Sequence, residues 1–304
     1  MDKDLNRDDR NPEILPKDRA LFPAGIAEGE PSYLGDLAPV PASVPSEGSR
    51  MRLARRSWAA APATYVLLGI NCGVFLAMTL AGVSPSSPQP EQLLHWGADY
   101  GAFVLVLGQW WRLVTAMFVH IGFLHLATNM WCLWNLGLLG EPLLGAPGLL
   151  AAYVLTGFAG NLLSVATHPG LQSNGADGVI GAGASGAIFG LAGVLIVLLN
   201  SRYLPLPEFE RKALRKSVIW FAVLNFVLGF GVDMGHFSLR IDNMAHFGGF
   251  VAGLLLAVPM VPRIGSPPGL FRTRRNIAIA GEALLLLLLC AGVRAFYLAA
   301  VGSG

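Results

Sequence analysis

The chain has 304 residues, of which 54% are apolar and only 13% charged, with a formal net charge of +2. Mean hydropathy is +0.55, and the charged share is about half that of a soluble domain, which excludes a disordered chain and disfavours an ordinary soluble globule. The few basic residues are scattered through loops rather than massed on one face, so no nucleic-acid footprint is present.

Residues 1–56 hold ten acidic and nine basic residues, many prolines and no periodicity. They read as a disordered tail, with no short apolar core to form a signal peptide. From residue 61 the composition inverts. Apolar spans are expected at about 61–81, 113–135, 147–168, 182–200, 217–234, 244–262 and 277–300. The expected fold is therefore an all-α polytopic membrane protein, with a six-helix core over 57–262 and a seventh transmembrane helix after a linker, over 263–304. The outer loop 82–112 carries Leu93, Leu94, Trp96, Phe103, Leu105 and Trp110, and is expected to dip into the membrane interface.

With the N-terminus inside, thirteen Lys and Arg fall on inner segments and two, Arg112 and Arg240, on outer ones. This positive-inside asymmetry predicts a cytoplasmic N-terminus and an outer C-terminus. Arg outnumbers Lys 17 to 4 and Ala and Gly are abundant, which suits a high-GC bacterium, and the expected location is a bacterial inner membrane. Cys72, Cys132 and Cys290 each sit in an apolar run and are odd in number. They read as buried small groups, neither a disulfide framework nor a metal site.

Polar groups inside a bilayer are costly, so each is a functional candidate. His125 and Asn129 are four apart and share a helical face, either as a polar pair joining helices or as part of a site. Ser185 lies in Gly-Ala-Gly-Ala-Ser-Gly-Ala-Ile-Phe-Gly over 181–190, and small residues there serve close packing or a substrate backbone. His246 precedes the small-xxx-small pair Gly249 and Gly253, as Ser185 precedes the pair Gly186 and Gly190; alone the histidine would suit a proton path. The second, fourth and sixth spans run in the same direction, so Ser185 and His246 come to similar depth on helices able to pack backbone to backbone. That pattern is a nucleophile and its base. His125, Asn129 and the Ser185 backbone N–H would then donate to a developing oxyanion.

These residues resemble the rhomboid family of intramembrane serine proteases over roughly residues 61–262. The resemblance rests on Trp111-Arg112, His125-xxx-Asn129, Gly137-xxx-Glu141-xxx-Gly145, Gly183-Ala-Ser-Gly186 and Ala245-His-xx-Gly249. It implies a six-plus-one helix arrangement and a Ser185–His246 dyad with no acidic third member. It further implies His125 and Asn129 as oxyanion residues, and neither cofactor nor metal. The implied partners are the lipid bilayer and single- or multi-span membrane proteins, cut near the outer side of the bilayer. Cleavage in the family favours a small residue before the scissile bond. Phe189 stands where the family often has tyrosine, and is expected to pack on His246. His120 resembles a further family histidine that holds water or a loop. The outer loop with Met234, His236 and Phe237 is expected to cap the site.

Asp242, four before His246, is expected to be an exposed loop residue, with a role in orienting the imidazole as the alternative. Arg112 is expected to bind lipid phosphate or tie down the first outer loop. Glu141 is expected to satisfy backbone groups. The rival readings are an inactive rhomboid-like protein that binds membrane clients, and a transporter with a histidine relay. The second lacks paired intramembrane carboxylates and a repeat between halves.

Overall fold

The computed structural model describes residues 61–172, 178–202, 204, 206–231, 242–261 and 269–302. The N-terminal tail and the loop holding Met234, His236 and Phe237 lie outside the described residues. Seven long helices dominate: α1 (Pro62–Leu80), α5 (Phe123–Leu144), α6 (Ala146–Thr167), α7 (Ser185–Asn200), α8 (Glu208–Gly231), α9 (Asn243–Ala257) and α10 (Leu270–Gly302). The protein is an all-α polytopic membrane protein. Helices α1, α6, α9 with its 3-10 extension, and α10 are each long and apolar enough to cross a bilayer.

The second expected span is corrected. A short helix α4 (Arg112–Thr115) and a 3-10 turn (Ala116–Phe118) precede α5 and are bent from it by 95°. The hydropathy continues through this stretch but the backbone does not. Val119 is extended and Gly122 has φ +98°, a conformation that favours glycine and ends helical propagation. The α5–α6 connection is the single residue Gly145, at φ +73°.

The loop 82–112 is folded. It holds α2 (Pro90–His95), β1 (Asp99–Tyr100) and α3 (Gly101–Leu105). Leu93 and Leu105 are 1% and 0% exposed, so they pack within the protein rather than dipping into lipid as expected. Leu107 and Trp111 are the exposed large apolar groups there. Strand β1 pairs antiparallel with β2 (Ile180–Gly181), placing Asp99 opposite Gly181, and so fastens the loop to the segment that leads into α7.

Helix α7 is the centre of the bundle, with twelve of its residues buried between α6, α8 and α9. Small residues let these helices approach to backbone contact. A Cβ at Gly249 would strike the carbonyl of Gly186, and one at Gly253 the carbonyl of Gly190. The two expected glycine pairs therefore do meet, but not face to face. Gly190 itself opens toward Thr156 of α6.

At the opposite end, arginines cap helix C-termini, where unpaired carbonyls attract cations. Arg275 donates to Leu144 O of α5 at 2.8 Å, Arg211 to Leu199 O of α7 at 3.0 Å, and Arg274 to Val261 O at 3.1 Å. Glu141, 3% exposed, accepts from the Ala63 and Thr64 backbone N–H groups at 2.9 and 2.8 Å and from the Thr64 hydroxyl at 2.7 Å. It caps α1, as expected. Cys72 is exposed, against expectation, while Cys290 is buried and Cys132 half-buried.

Candidate active site

Ser185 is the first residue of α7, and its half-buried side chain faces α9. His246 sits in the first turn of α9 and is 7% exposed. The close α7–α9 packing brings His246 Nε2 within 2.8 Å of Ser185 Oγ. Phe189, one turn below Ser185, stacks on the imidazole with centroids 4.4 Å apart and planes at 18°. The other ring nitrogen, Nδ1, is buried and has no hydrogen-bond partner among the described residues.

Asp242 does not supply that partner. It is the N-cap of α9: Oδ1 accepts from Ala245 N at 2.9 Å, and Oδ2 accepts from the Ser164 hydroxyl of α6. It is half-buried rather than an exposed loop residue. An N-cap aspartate satisfies an otherwise unpaired helix N–H, and here it also ties α9 to α6 one turn before His246. Ser164 was overlooked in the sequence. A polar side chain on an apolar span was its only signal, and its partner lies 78 positions away.

His125 and Asn129 lie on α5 beside the α7 lead-in. A Cβ on Gly183 would come within 2.6 Å of His125 Cε1, 2.9 Å of its Nε2 and 3.7 Å of Asn129 Nδ2. Gly183 has φ +130°, so both space and backbone require glycine. Asn129 Nδ2 donates to His125 O at 2.9 Å, leaving its second amide proton available. His125 Nδ1 accepts from Ile121 N at 3.4 Å, which places the ring proton on Nε2, facing Gly183.

His120 is completely buried. Its Nδ1 donates to Phe118 O at 3.3 Å and its Nε2 accepts from Ala184 N at 3.4 Å. It therefore anchors the residue before Ser185 to the turn that precedes α5. Gly183 N donates to Ala116 O at 2.9 Å, a second tie at the same place. Gly186 and Gly249 form the close contact beneath the Ser–His pair.

Arg112 is 8% exposed and donates to Leu94 O and Ala98 O, both at 2.7 Å. It lies over the rings of Trp111 and Phe103 at 4.5 and 5.1 Å. Of its two expected roles, the structure shows the loop tie; the guanidinium is occupied by backbone carbonyls. Trp111, half-exposed, flanks it and does not reach the Ser–His pair. Asp99 is a further residue the sequence reading passed over. It is fully buried opposite Gly181. Burial, and then the Asp242 carboxylate, hold its carboxyl well above the usual range, against the opposing pull of the Gly181 backbone and Arg112.

The family model described as the rhomboid domain matches residues 107–263, just over half of the chain. The chain is similar to Rhomboid protease GluP of Bacillus subtilis, 31% identical over 205 residues, which are 67% of this chain and 36% of that protein. It is similar to RHOMBOID-like protein 5 of Arabidopsis thaliana, 37% identical over 157 residues, 51% of this chain and 46% of the relative. To Rhomboid protease AarA of Providencia stuartii it is 28% identical over 219 residues, 68% and 75% of the two chains. The first two alignments span less than half the length of the relatives. On the matched domain, this chain belongs to the rhomboid family.

Proposed function

We propose that this protein is an intramembrane serine endopeptidase that cleaves membrane-spanning proteins near the outer side of the bilayer, with Ser185 as nucleophile and His246 as base. The 2.8 Å contact between His246 Nε2 and Ser185 Oγ carries the reading. In the first half-reaction the imidazole takes the hydroxyl proton as Oγ attacks the peptide carbonyl. The tetrahedral intermediate then collapses: the C–N bond breaks, and the imidazolium gives its proton to the leaving amine. Water, deprotonated by the same imidazole, hydrolyses the acyl-enzyme and restores Ser185.

The oxyanion is assigned to the Ser185 backbone N–H, the free amide proton of Asn129 and His125 Nε2–H. The first N–H groups of a helix lack intrahelical acceptors and carry the positive end of its dipole, and Ser185 begins α7. With Nδ1 unpartnered among the described residues, the Phe189 stack holds the His246 ring in place.

Helix length supports the depth. The 16 residues of α7 rise about 24 Å, against a hydrocarbon core of about 30 Å. With Asn200 at the inner edge, Ser185 lies a few ångströms inside the outer edge, where a spanning substrate must unwind to present a bond. We assign seven spans, six plus α10. The charge asymmetry supports a cytoplasmic N-terminus, and we assign the protein to a bacterial inner membrane.

The test is cleavage, by purified protein in liposomes, of a single-span substrate with small residues near its outer membrane edge. Ser185→Ala and His246→Ala are expected to abolish cleavage without changing thermal unfolding. Cleavage persisting in Ser185→Ala refutes the assignment. Loss of fluorophosphonate labelling at Ser185 in wild type would favour the inactive, client-binding reading.

A further inference from the structure

Helix α10 is fastened to the core at both ends. At one end Arg275 bonds Leu144 O and Arg274 bonds Val261 O. At the other, the Tyr297 hydroxyl donates to Ala166 O at 2.6 Å, and Cys290 packs with Val104, Leu105 and Leu162. Between these clamps lies a cavity of about 590 Å³ walled by α6, α9 and α10. Its lining is apolar except for one ionisable side chain, Glu282 of α10. Both Glu282 carboxyl oxygens are buried, and neither has a hydrogen-bond partner among the described residues. A buried polar group with no partner is costly, and an intramembrane carboxyl is a functional candidate by default.

We infer that this cavity is a binding site for a single-chain membrane lipid with a hydroxyl head, of the monoacylglycerol class, whose head bonds Glu282. Volume decides against larger occupants. A spanning helix about 30 Å long and at least 10 Å across fills several times this space, whereas 590 Å³ lies within the range of about 300–1,000 Å³ for small-molecule sites. The hydroxyl follows from the chemistry of the acceptor. A carboxylate only accepts, and a carboxylic acid also donates; a hydroxyl does both and suits either form. The chain then runs from Glu282 along α10 to Val293, about 16 Å at helical rise. It packs on Phe247 and Gly248, next to His246 in sequence. The site does not depend on the proposed reaction, and its test reads occupancy rather than cleavage.

The experiment uses the full-length protein in liposomes and a long-chain monoacylglycerol carrying a mid-chain diazirine. Cross-links are mapped by mass spectrometry. Labelling is expected on the cavity-facing residues of α9 and α10, such as Val251, Leu255 and Leu286. Nothing lies within 4 Å of a Cβ built at Gly281, which lines the cavity, so Gly281→Leu fills the site without a clash. It is expected to cut this labelling about tenfold, as are Glu282→Leu and a probe with methylated hydroxyls, in each case for loss of room or of one buried hydrogen bond. Glu282→Gln, which both donates and accepts, retains labelling. Thermal unfolding checks the fold, and the methylated probe tests the head-group assignment on wild-type protein. Labelling that is unchanged by Gly281→Leu, equal for the methylated probe, or concentrated on the outward-facing Leu287 and Leu288 overturns the inference.

Discussion

Two protons separate Asn129 and His125 from ordinary helix-joining residues. Asn129 gives one amide proton to His125 O and retains the other. The bond from Ile121 N to His125 Nδ1 leaves the His125 proton on Nε2, toward Gly183. Under the proposed oxyanion role, Asn129→Ala and His125→Ala are each expected to lower kcat by about 10²–10³ with little change in KM, because such donors act in the transition state. Equal kcat with a lowered unfolding temperature would return them to a packing role. Asp99 makes a prediction of opposite character. Its folded-state value is raised by burial and by Asp242, so the neutral carboxyl is the form that favours folding. Below the unfolded value of about 4 both states hold the proton and the contribution is complete. As pH rises from there toward the raised folded value, the unfolded chain binds fewer protons and stability falls. Asp99→Asn cannot ionise, so its unfolding temperature relative to wild type is expected to climb over the pH range above about 4. A difference that stays flat across that range would refute burial as the governing cause.

At the scale of elements, polar side chains anchored on one helix complete the ends of others. Glu141 of α5 satisfies three donors at the start of α1, Asp242 joins the cap of α9 to α6, and Arg211 of α8 closes α7. Glu141→Ala strands all three donors in a buried place and is expected to cost about 3–5 kcal/mol, seen as a lower unfolding temperature and poor yield. A stably folded but catalytically dead Glu141→Ala protein would show that the residue serves the chemistry instead. The role of Glu141 was legible in the sequence because a carboxylate in an apolar span has few alternatives. The break before α5 was not legible from hydropathy, because residues on both sides of the bend are apolar. Only Gly122, whose φ is positive, marked it. Cys72 was misread for a related reason: an apolar residue is buried by its neighbours in a soluble core, but on a membrane helix it is equally at home on the outer face.

For the whole molecule, the orientation expected from the charge asymmetry is open to direct measurement. An alkaline phosphatase fused at the C-terminus is expected to be active, and one fused at the N-terminus inactive; the reverse result would overturn the assignment. Three of the arginines that set that asymmetry also cap α5, α7 and the end of the α9 segment, so one set of charges serves both insertion and packing. By itself the sequence determined the membrane class and the order of the apolar helices. It also marked Ser185 and His246, because polar groups and glycines stand out against an apolar background. The tertiary structure alone decided the 2.8 Å meeting of Ser185 and His246, the tie between Ser164 and Asp242, and the burial of Asp99. It alone placed Glu282 in a cavity. Each of these depends on which faces of distant helices come together, and that is set by packing across the bundle rather than by any local pattern along the chain.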